Sequence, residues 1–382
     1  MSGRRRAAAA AVLVAALMAV SACTAQAPED SIPPPATRAE TPAPRGTDVP
    51  TGFWRAEGEP VTLASGLRAP WSVAPLPGGG ALISQRGDGT VLELTPEGEL
   101  RTAGTVPGVV SGGESGLHGL ALWEDDGERW LYAYHGAADD NRVVRMPLLG
   151  GDGDLSLGEP EVILSGIARN STHDGGRLAF GPDGLLYVTT GDAQNRPSAQ
   201  DPASLGGKIL RLTPQGDPAP GNPFGTAVYS LGHRNVQGIA WTSDGTMWAS
   251  EFGQDTFDEL NRIEAGANYG WPVYEGTSGD ERYADPVVTW TTDEASPSGI
   301  AAVGETVFIA SLRGERLWTV DTDAPGIAAE PVAALAGEQG RLRDAVAAPD
   351  GTLWVLTNNT DGRGSPREGD DVLLQVALAP HG

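Results

Sequence analysis

The chain has 382 residues, a formal net charge of −24 at pH 7 and one cysteine. So acidic a protein repels phosphate backbones and anionic headgroups, which excludes nucleic acid and broad contact with an anionic lipid surface. A single cysteine excludes disulfides within the chain and thiolate metal sites, and a chain of this length is stabilised by packing instead.

Residues 1–22 have the pattern of an export signal. A basic head of three arginines is followed by an apolar run over residues 7–20 and by small residues directly before Cys23. This order is typical of a secretory signal peptide, and the run is too short for a membrane span. The small pair before the cysteine resembles a bacterial lipobox. We therefore expect Cys23 to be lipidated and to anchor the exported protein to the outer face of the cell membrane; the alternative is an ordinary signal peptide that contains a cysteine.

Residues 23–52 follow the signal and are rich in Pro, Ala, Thr and Ser, with no apolar period. This composition predicts a disordered tether between the lipid and the folded domain. From Phe53 onward the pattern changes to that of a folded domain, which we expect to occupy residues 53–382.

The folded part repeats itself. Each unit has a short apolar strand, an Asp-Gly or Gly-Gly turn, and a strand of alternating aromatic and β-branched residues, which is a strong hairpin signal. The three clearest copies are residues 175–192, 236–251 and 342–357, and weaker copies begin near Trp71, Gly116 and Ser298. Helical periodicity is nearly absent. Six such units predict an all-β fold, a six-bladed β-propeller of four-stranded antiparallel blades.

The first strand of each propeller blade lines the central channel, so a site is expected where the units start. Arg341 and Arg343 alternate on one strand and point to the same face. Arg234 and Arg313 occupy comparable places in other units. Guanidinium groups on one face repel unless an anion lies between them, so the arginines predict a polyanionic ligand bound by bidentate forks. The alternative is that each arginine pairs with a local carboxylate, such as Asp344 or Glu338.

Two further features at the unit starts suggest chemistry. His173 stands beside Asp174 and two glycines, and an imidazole near neutral pH suits a general base. Taken alone, such a histidine is more often structural, as His118 and His233 would be if they lie in the core. The loop over residues 251–259 is rich in carboxylates and carbonyls, which suits a hard cation such as calcium, although solvated acids are the ordinary explanation.

Several segments, in order from about residue 60 to 378, resemble one family, the soluble glucose/sorbosone dehydrogenases that use pyrroloquinoline quinone (PQQ) to oxidise aldose sugars. The matching segments are residues 173–192, 207–212, 232–238, 267–272, 297–299, 312–314 and 341–344. The resemblance implies a six-bladed propeller, which agrees with the repeats. It also implies PQQ and calcium as cofactors, a sugar as substrate and an external electron acceptor.

The resemblance also implies roles for individual residues. His173 corresponds to the base that removes the proton of the anomeric hydroxyl while hydride passes to the quinone, which gives a lactone. Arg234 corresponds to the group that polarises a quinone oxygen. The remaining cofactor contacts correspond to Asn235, Arg313, Arg341, Arg343 and Glu114, the last of which stands where some members have Gln. The main-chain carbonyls of Gly253 and Gln254 correspond to ligands of the catalytic calcium.

The sequence departs from the family pattern at four places. Thr172 precedes the base where glucose dehydrogenases have Asp, so the orientation and strength of His173 are open. Arg313 stands where some members have Lys, and Phe252 and Gln254 replace a His and a Pro that are usual in that loop. A carbonyl ligand tolerates a changed side chain, so these departures affect the identity of the substrate more than the expected calcium.

Two other functions remain open. A calcium-dependent propeller lactonase would gather acidic and Asn ligands around one central ion and would have no need of anion-binding arginines. A non-catalytic sugar- or protein-binding propeller would need neither His173 nor the arginines. The fold alone does not decide between the dehydrogenase, the lactonase and the binding protein.

Overall fold

The computed structural model describes residues 50–323, 327–328 and 330–381. The predicted signal peptide 1–22, the lipidation site Cys23 and nearly all of the tether 23–52 lie outside these residues. Within them, regular structure is β-strand apart from one 3₁₀ helix, Arg196–Gln200. No helix of this part of the chain is long and apolar enough to cross a membrane.

The strands form six antiparallel sheets, one for each predicted blade. Strand β1 (Phe53–Ala64) precedes the first blade along the chain. Blade 1 holds β2 (Pro70–Pro75), β3 (Ala81–Gln85), β4 (Thr90–Leu94) and β5 (Leu100–Thr105). Blade 2 holds β6 (Leu117–Asp125), β7 (Glu128–Gly136), β8 (Asn141–Leu149) and β10 (Glu161–Ile167), with the short β9 (Ser156–Leu157) beside β8. Blade 3 holds β11 (Leu178–Phe180), β12 (Leu186–Thr189), β13 (Lys208–Leu212) and β14 (Val228–Leu231).

Blade 4 holds β15 (Val236–Trp241), β16 (Met247–Glu251), β17 (Phe257–Ile263) and β18 (Val288–Thr291). Blade 5 holds β19 (Pro297–Val303), β20 (Thr306–Ser311), β21 (Arg316–Asp323) and β23 (Val332–Ala334), with the short β22 (Ile327–Ala328) also paired to β21. Blade 6 holds β24 (Leu342–Ala347), β25 (Leu353–Thr357), β26 (Leu373–His381) and, as its outermost strand, β1. The predicted all-β, six-bladed propeller is confirmed.

The ring is closed by the two ends of the domain. β1 pairs with β26 in antiparallel register from Phe53 opposite His381 to Ala64 opposite Leu373. The first strand of the domain therefore completes the last blade. The pairing ties the two ends of the domain together and makes β1 the outer edge strand of blade 6.

The core lies between the blades. Six clusters of buried apolar side chains fill the six interfaces between neighbouring blades, including the interface between blades 6 and 1. The second strands β12, β16, β20 and β25 are buried along their whole length, because both of their faces meet a neighbouring blade. The innermost strands β2, β6, β11, β15, β19 and β24 contact one another in a ring around the axis.

The repeated Asp-Gly pair forms the same turn in three blades. Asp183, Asp244 and Asp350 each accept a hydrogen bond on Oδ1 from the main-chain N–H two residues later. The glycine between takes a positive φ, 73° at Gly184 and 83° at Gly351, which residues with a Cβ rarely adopt. These turns put the inner strands in register, so the starts of the inner strands all lie at the opposite end of the propeller.

A buried ion pair links four blades across the axis. Arg177 of blade 3 donates from Nη1 to Asp344 Oδ2 of blade 6 at 2.8 Å, and from Nε to the carbonyl of Gln237 in blade 4 at 2.9 Å. Asp344 Oδ2 also accepts the main-chain N–H of Val73 in blade 1 at 3.0 Å, and the guanidinium lies over the ring of Trp71. Burial raises the pKa of Asp344, and Arg177 opposes that rise.

We expect Arg177→Met to destabilise the fold by about 3–5 kcal/mol, because it leaves the Asp344 carboxylate buried without its cation. The double variant Arg177→Met with Asp344→Asn removes both charges and is expected to lose less than the single variant. Urea unfolding of the three proteins measures this order. A single variant as stable as the wild type would show that the pair does not join the blades.

Candidate active site

The sequence-predicted residues come from the starts of different inner strands and lie at one end of the channel. Glu114 precedes β6, His173 precedes β11, Arg234 and Asn235 precede β15, and Arg341 precedes β24. A cavity at this end is lined by Trp71, Arg86, Glu114, His118, Asp174, Gly175, Gln237, Phe252, Leu312, Arg343 and Arg363.

His173 is held in one orientation by a buried carboxylate. Its Nδ1 lies 2.7 Å from Oδ1 of Asp192, whose side chain is 0 % exposed. Because an ionised carboxylate only accepts, Nδ1 carries the proton in this pair and Nε2 is left as the basic nitrogen. A neutral imidazole in this tautomer can take a proton from a hydroxyl.

Asp192 remains a carboxylate although it is buried. Burial by itself would raise the pKa of Asp192, but hydrogen bonds from His173, from the indole of Trp271 and from the N–H of Gln194 outweigh it and lower that pKa. The Trp271 Nε1 bond to Oδ2 measures 2.8 Å and the Gln194 N–H bond to Oδ1 measures 2.8 Å. Both carboxylate oxygens are therefore fixed.

The backbone of His173 is also constrained. Its φ of 63° lies in the left-handed region, which is uncommon for a residue with a side chain. Its N–H donates to Glu114 Oε2 at 2.9 Å, and its carbonyl accepts the N–H of Ala193 at 3.1 Å. These two bonds hold an unfavourable conformation directly before Asp174 and Gly175, which line the cavity, and such strain is common at functional sites.

Thr172 does not leave the base without a carboxylate, since Asp192 supplies one from the end of the next strand. Thr172 itself accepts a hydrogen bond on Oγ1 from Gln194 Nε2 at 2.6 Å. The orientation that the sequence left open is thus set by a residue 19 positions further along the chain.

Arg341 and Arg343 lie together, as the strand alternation predicts, and Arg343 lines the cavity. Asp361, which is 0 % exposed, is 3.3 Å from Arg341 Nη2 and 3.8 Å from Arg343 Nη2. Arg343 also donates to Gln237 Oε1 at 2.8 Å and to Asn358 Oδ1 at 2.9 Å. The local carboxylate considered for them, Asp344, pairs with Arg177 instead.

The arginines outnumber the carboxylates beside them. Arg86 lines the same cavity and shares the field of Asp361. Burial, and then the positive charge of Arg86, lower the pKa of Arg343 to about 9. Burial is also the largest cause of the lowered pKa of Arg86. Four guanidinium groups, those of Arg86, Arg341, Arg343 and Arg363, lie near two carboxylates, Asp361 and Glu114, and this leaves positive charge that an anion can neutralise.

Unpaired hydrogen-bond donors also indicate an anion site. Among the described residues, the buried Nε atoms of Arg234 and Arg341 have no hydrogen-bond partner. Buried donors are nearly always paired in folded proteins, and an unpaired one calls for a ligand or a water molecule. A tricarboxylate such as PQQ fits this set of donors and charges.

Arg234 and Asn235 face the base from blade 4. Arg234 donates from Nη1 to the carbonyl of Phe252 at 3.1 Å, and burial lowers its pKa. Its main-chain N–H and that of Asn235 both donate to Glu251 Oε1. Asn235 Oδ1 accepts the N–H of Gly175 at 3.0 Å. These contacts connect blade 4 with the chain segment that carries His173.

Glu114 lines the cavity, but both of its carboxylate oxygens already have partners. Oε2 accepts the His173 N–H, and Oε1 lies 2.9 Å from Nη1 of Arg363. Arg313 lies elsewhere: its side chain is 60 % exposed and pairs with Asp293. The structure therefore does not bring Arg313 to the arginine cluster, and a cofactor role for it rests on the resemblance alone.

The predicted calcium ligands lie in an ordered loop. Glu275 Oε1 accepts the main-chain N–H groups of residues 254–257, at 2.6–3.2 Å, and Asp258 Oδ1 accepts that of Gly253. Within the described residues the carbonyls of Gly253 and Gln254 accept no hydrogen bond, so both remain available as ligands. No three His, Cys, Asp or Glu side chains of this part of the chain are arranged around a metal position, and calcium stays a prediction.

The other two histidines of the unit starts are buried in the fold. His118 is stacked between Trp71 and Tyr134, and burial lowers its pKa to about 3. His233 is completely buried between Ser230 Oγ and Glu251 Oε2, each 2.8 Å away. His118 lines the cavity, but it is held by this stacking and by its Nε2, which lies 2.8 Å from the Glu114 carbonyl. Both ring nitrogens of His233 have partners, so it is not a candidate base.

The sequence analysis assigned no role to five residues of the candidate site: Arg86, Asp192, Trp271, Asp361 and Arg363. The sequence does contain a signal for two of them, Asp192 and Asp361. In an antiparallel hairpin the end of the second strand lies beside the start of the first, as Thr357 opposite Leu342 shows. Asp192 and Asp361 come shortly after second strands, so the hairpin rule would have placed both beside the predicted residues.

Comparisons with known proteins point to one family. The family model described as Glucose / Sorbosone dehydrogenase matches residues 67–373. The aldose sugar dehydrogenase YliI of Escherichia coli (strain K12) is 31% identical over 338 residues, which cover 78% of this chain and 90% of that protein. Quinoprotein glucose dehydrogenase B of Acinetobacter calcoaceticus is 31% identical over 276 residues, which cover 62% of this chain and 57% of that protein.

A solved structure is also similar. The PQQ-bound form of the aldose sugar dehydrogenase from Streptomyces coelicolor superposes with a TM-score of 0.82 at 48% identity, covering 86% of this chain and 100% of that one. Fold, ordered motifs and sequence identity over most of the chain agree. The chain belongs to the glucose/sorbosone dehydrogenase family.

Proposed function

We propose that the protein is a PQQ- and calcium-dependent aldose sugar dehydrogenase that oxidises the anomeric carbon of its substrate to a lactone and passes the electrons to an external acceptor. The observation that carries this proposal is the His173–Asp192 pair, a base with a fixed tautomer, next to a cavity where the arginines outnumber the carboxylates. The family relationship supports the same reaction class.

The residues have distinct tasks in this proposal. His173 Nε2 takes the proton of the anomeric hydroxyl, and Asp192 stabilises the imidazolium that forms. Arg341, Arg343 and Arg86 would hold the carboxylates of the cofactor. When bound, PQQ supplies the two-electron acceptor for the hydride that leaves the anomeric carbon. Arg234 would supply positive charge to polarise the quinone.

Calcium would be held by the carbonyls of Gly253 and Gln254, in the loop that Glu275 orders. A hard cation there would strengthen the electron demand of the cofactor, as metal ions do when they polarise oxygen. We therefore expect activity to be lost when calcium is chelated and to return when it is added back.

The direct test uses the chain without residues 1–23, supplied with PQQ and Ca²⁺, and follows reduction of an artificial dye with a panel of aldoses. Sugar-dependent reduction that requires both additions supports the proposal and identifies the sugar. PQQ binding without oxidation of any sugar or alcohol would favour a binding propeller, and activity on lactones that needs calcium alone would favour a lactonase.

We also propose that the protein is exported and anchored by lipid at Cys23, on the grounds of the sequence pattern alone. Fractionation of cells that express the wild type and Cys23→Ala tests this. The wild type is expected with the membranes and the variant in the soluble fraction, whereas identical distributions would rule out the anchor.

A further inference from the structure

Trp271 lies between the two halves of the candidate site. It follows β17 in the long connection to β18, and its side chain is only 7 % exposed. Its main-chain N–H donates to the carbonyl of Gly232 at 2.9 Å, and its carbonyl accepts Gln200 Nε2 at 2.6 Å. Both ends of its peptide unit are thus fixed to blade 3 and to the connection between blades 3 and 4.

The edge of the indole holds the carboxylate that orients the base. Nε1 donates to Asp192 Oδ2 at 2.8 Å, while Oδ1 of the same carboxylate lies 2.7 Å from His173 Nδ1. A carboxylate anchored through one oxygen only can rotate, and its partner imidazole rotates with it. The indole bond removes that freedom, in the way that outer partners fix a catalytic histidine.

The face of the same indole holds the arginine on the other side of the site. The Arg234 guanidinium carbon lies 5.4 Å from the ring centroid, and that of Arg196 lies 5.2 Å from it. Both distances are within the range in which a cation is attracted to an aromatic face. One side chain therefore touches both the carboxylate behind His173 and the guanidinium of Arg234.

We propose that Trp271 is a positioning residue that fixes His173, through Asp192, and Arg234 in one relative geometry. This inference rests on the proposed function. There the proton of the substrate goes to His173, and its hydride goes to the quinone that Arg234 would polarise. Both departures come from one anomeric C–H and O–H group. Their directions must therefore be set together, and displacement of either group by a fraction of an ångström slows the reaction.

Two substitutions separate the roles of the edge and the face. Trp271→Phe removes the indole N–H and keeps an aromatic face under Arg234. We expect kcat to fall by about 10–100-fold, the size seen for lost outer-shell partners, with KM and PQQ affinity within about threefold of the wild type. Trp271→Leu also removes the face, so it should weaken PQQ binding as well as lower kcat.

The matched control is Trp248→Phe. Trp248 is also buried and donates its indole N–H to a side chain, Thr242 Oγ1 at 3.2 Å, but it lies in the core between blades 4 and 5. The Trp248→Phe substitution removes the same indole N–H and a similar amount of packing. Its activity therefore shows what general destabilisation does to turnover. We expect a similar fall in melting temperature in the two Phe variants and a kcat close to wild type only in Trp248→Phe.

The decisive measurement is proton NMR of the protein without cofactor, in which the Nδ1–H signal of His173 is assigned by its loss in His173→Gln. Trp271→Phe is expected to shift that signal upfield and speed its exchange with water, while Trp248→Phe leaves it in place. An unchanged signal with unchanged kcat in Trp271→Phe would overturn the proposal. If the wild type oxidises no sugar, the proposed function fails, but the NMR result still decides whether Trp271 orients the His173–Asp192 pair.

Discussion

Replacing His173 with Gln is expected to lower kcat by about 10²–10⁴-fold, which is the usual contribution of a positioned general base. Gln keeps a similar length and can donate and accept hydrogen bonds, but it cannot take the proton of the anomeric hydroxyl. The arginine cluster that would bind PQQ is untouched. The variant keeps all the hydrogen-bond donors that would bind PQQ. Its affinity for PQQ, measured by titration of the cofactor absorbance, should therefore stay within about threefold of the wild type.

Asp192→Asn tests the same base by a different change. Asn presents an amide of the same shape, and its NH₂ group can donate to Nδ1, which would move the imidazole proton to Nε2. The basic nitrogen then faces away from the substrate, so we expect a loss of kcat comparable to that of His173→Gln. Raising the pH would not restore activity. The imidazole of His173 is already neutral in this variant, but its one proton is on Nε2 and not on Nδ1.

The control for both variants is His381→Gln. His381 also pairs with a carboxylate, with Nε2 3.2 Å from Asp321 Oδ2, but it lies at the end of β26, opposite Phe53 of the outermost strand β1. Its loss should leave kcat unchanged. Normal turnover in His173→Gln would remove this histidine from the role of base, and low turnover in His381→Gln would show that the assay reports stability instead.

The fold was predictable because its signals are local and repeated. The Asp-Gly turns at Asp183, Asp244 and Asp350 are set by side-chain bonds that span two residues. The closure of the ring was not predictable in the same way. The pairing of Phe53 with His381 joins residues at the two ends of the domain, and no local pattern states which distant strand will be the partner.

The site was predictable where a strand's alternation fixes direction, as for Arg341 and Arg343. It was not predictable where partners come from different blades. Arg177 and Asp344 meet across the axis, and Trp271 reaches Asp192 from a long connection in blade 4. Arg313 shows that a matching position in the repeat is not sufficient. Its side chain pairs with Asp293 and does not join the cluster of Arg86, Arg341 and Arg343.

The double variant Arg341→Ala with Arg343→Ala is expected to weaken PQQ binding by about 10²–10⁴-fold, since each charge-assisted hydrogen bond contributes about 1.5–3 kcal/mol. The physical reason is the imbalance of charge in the cavity. Arg341 and Arg343 lie 3.3 Å and 3.8 Å from one shared carboxylate, Asp361, and a ligand with several carboxylates supplies the missing negative charge. Because the attraction is between charges, raising the ionic strength should weaken binding to the wild type more than to the double variant.

Two companion variants make the result interpretable. Removing both arginines leaves the buried Asp361 with fewer cations, so a triple variant that also carries Asp361→Asn separates damage to the fold from loss of the binding groups. We expect the triple variant to regain stability but not PQQ affinity. Arg129→Ala removes a guanidinium that pairs with Asp152 at the other end of the inner strands, and it should leave the affinity unchanged. If the double variant bound PQQ as tightly as Arg129→Ala does, Arg341 and Arg343 would serve the fold through Asp361 and the cavity would not be the cofactor site.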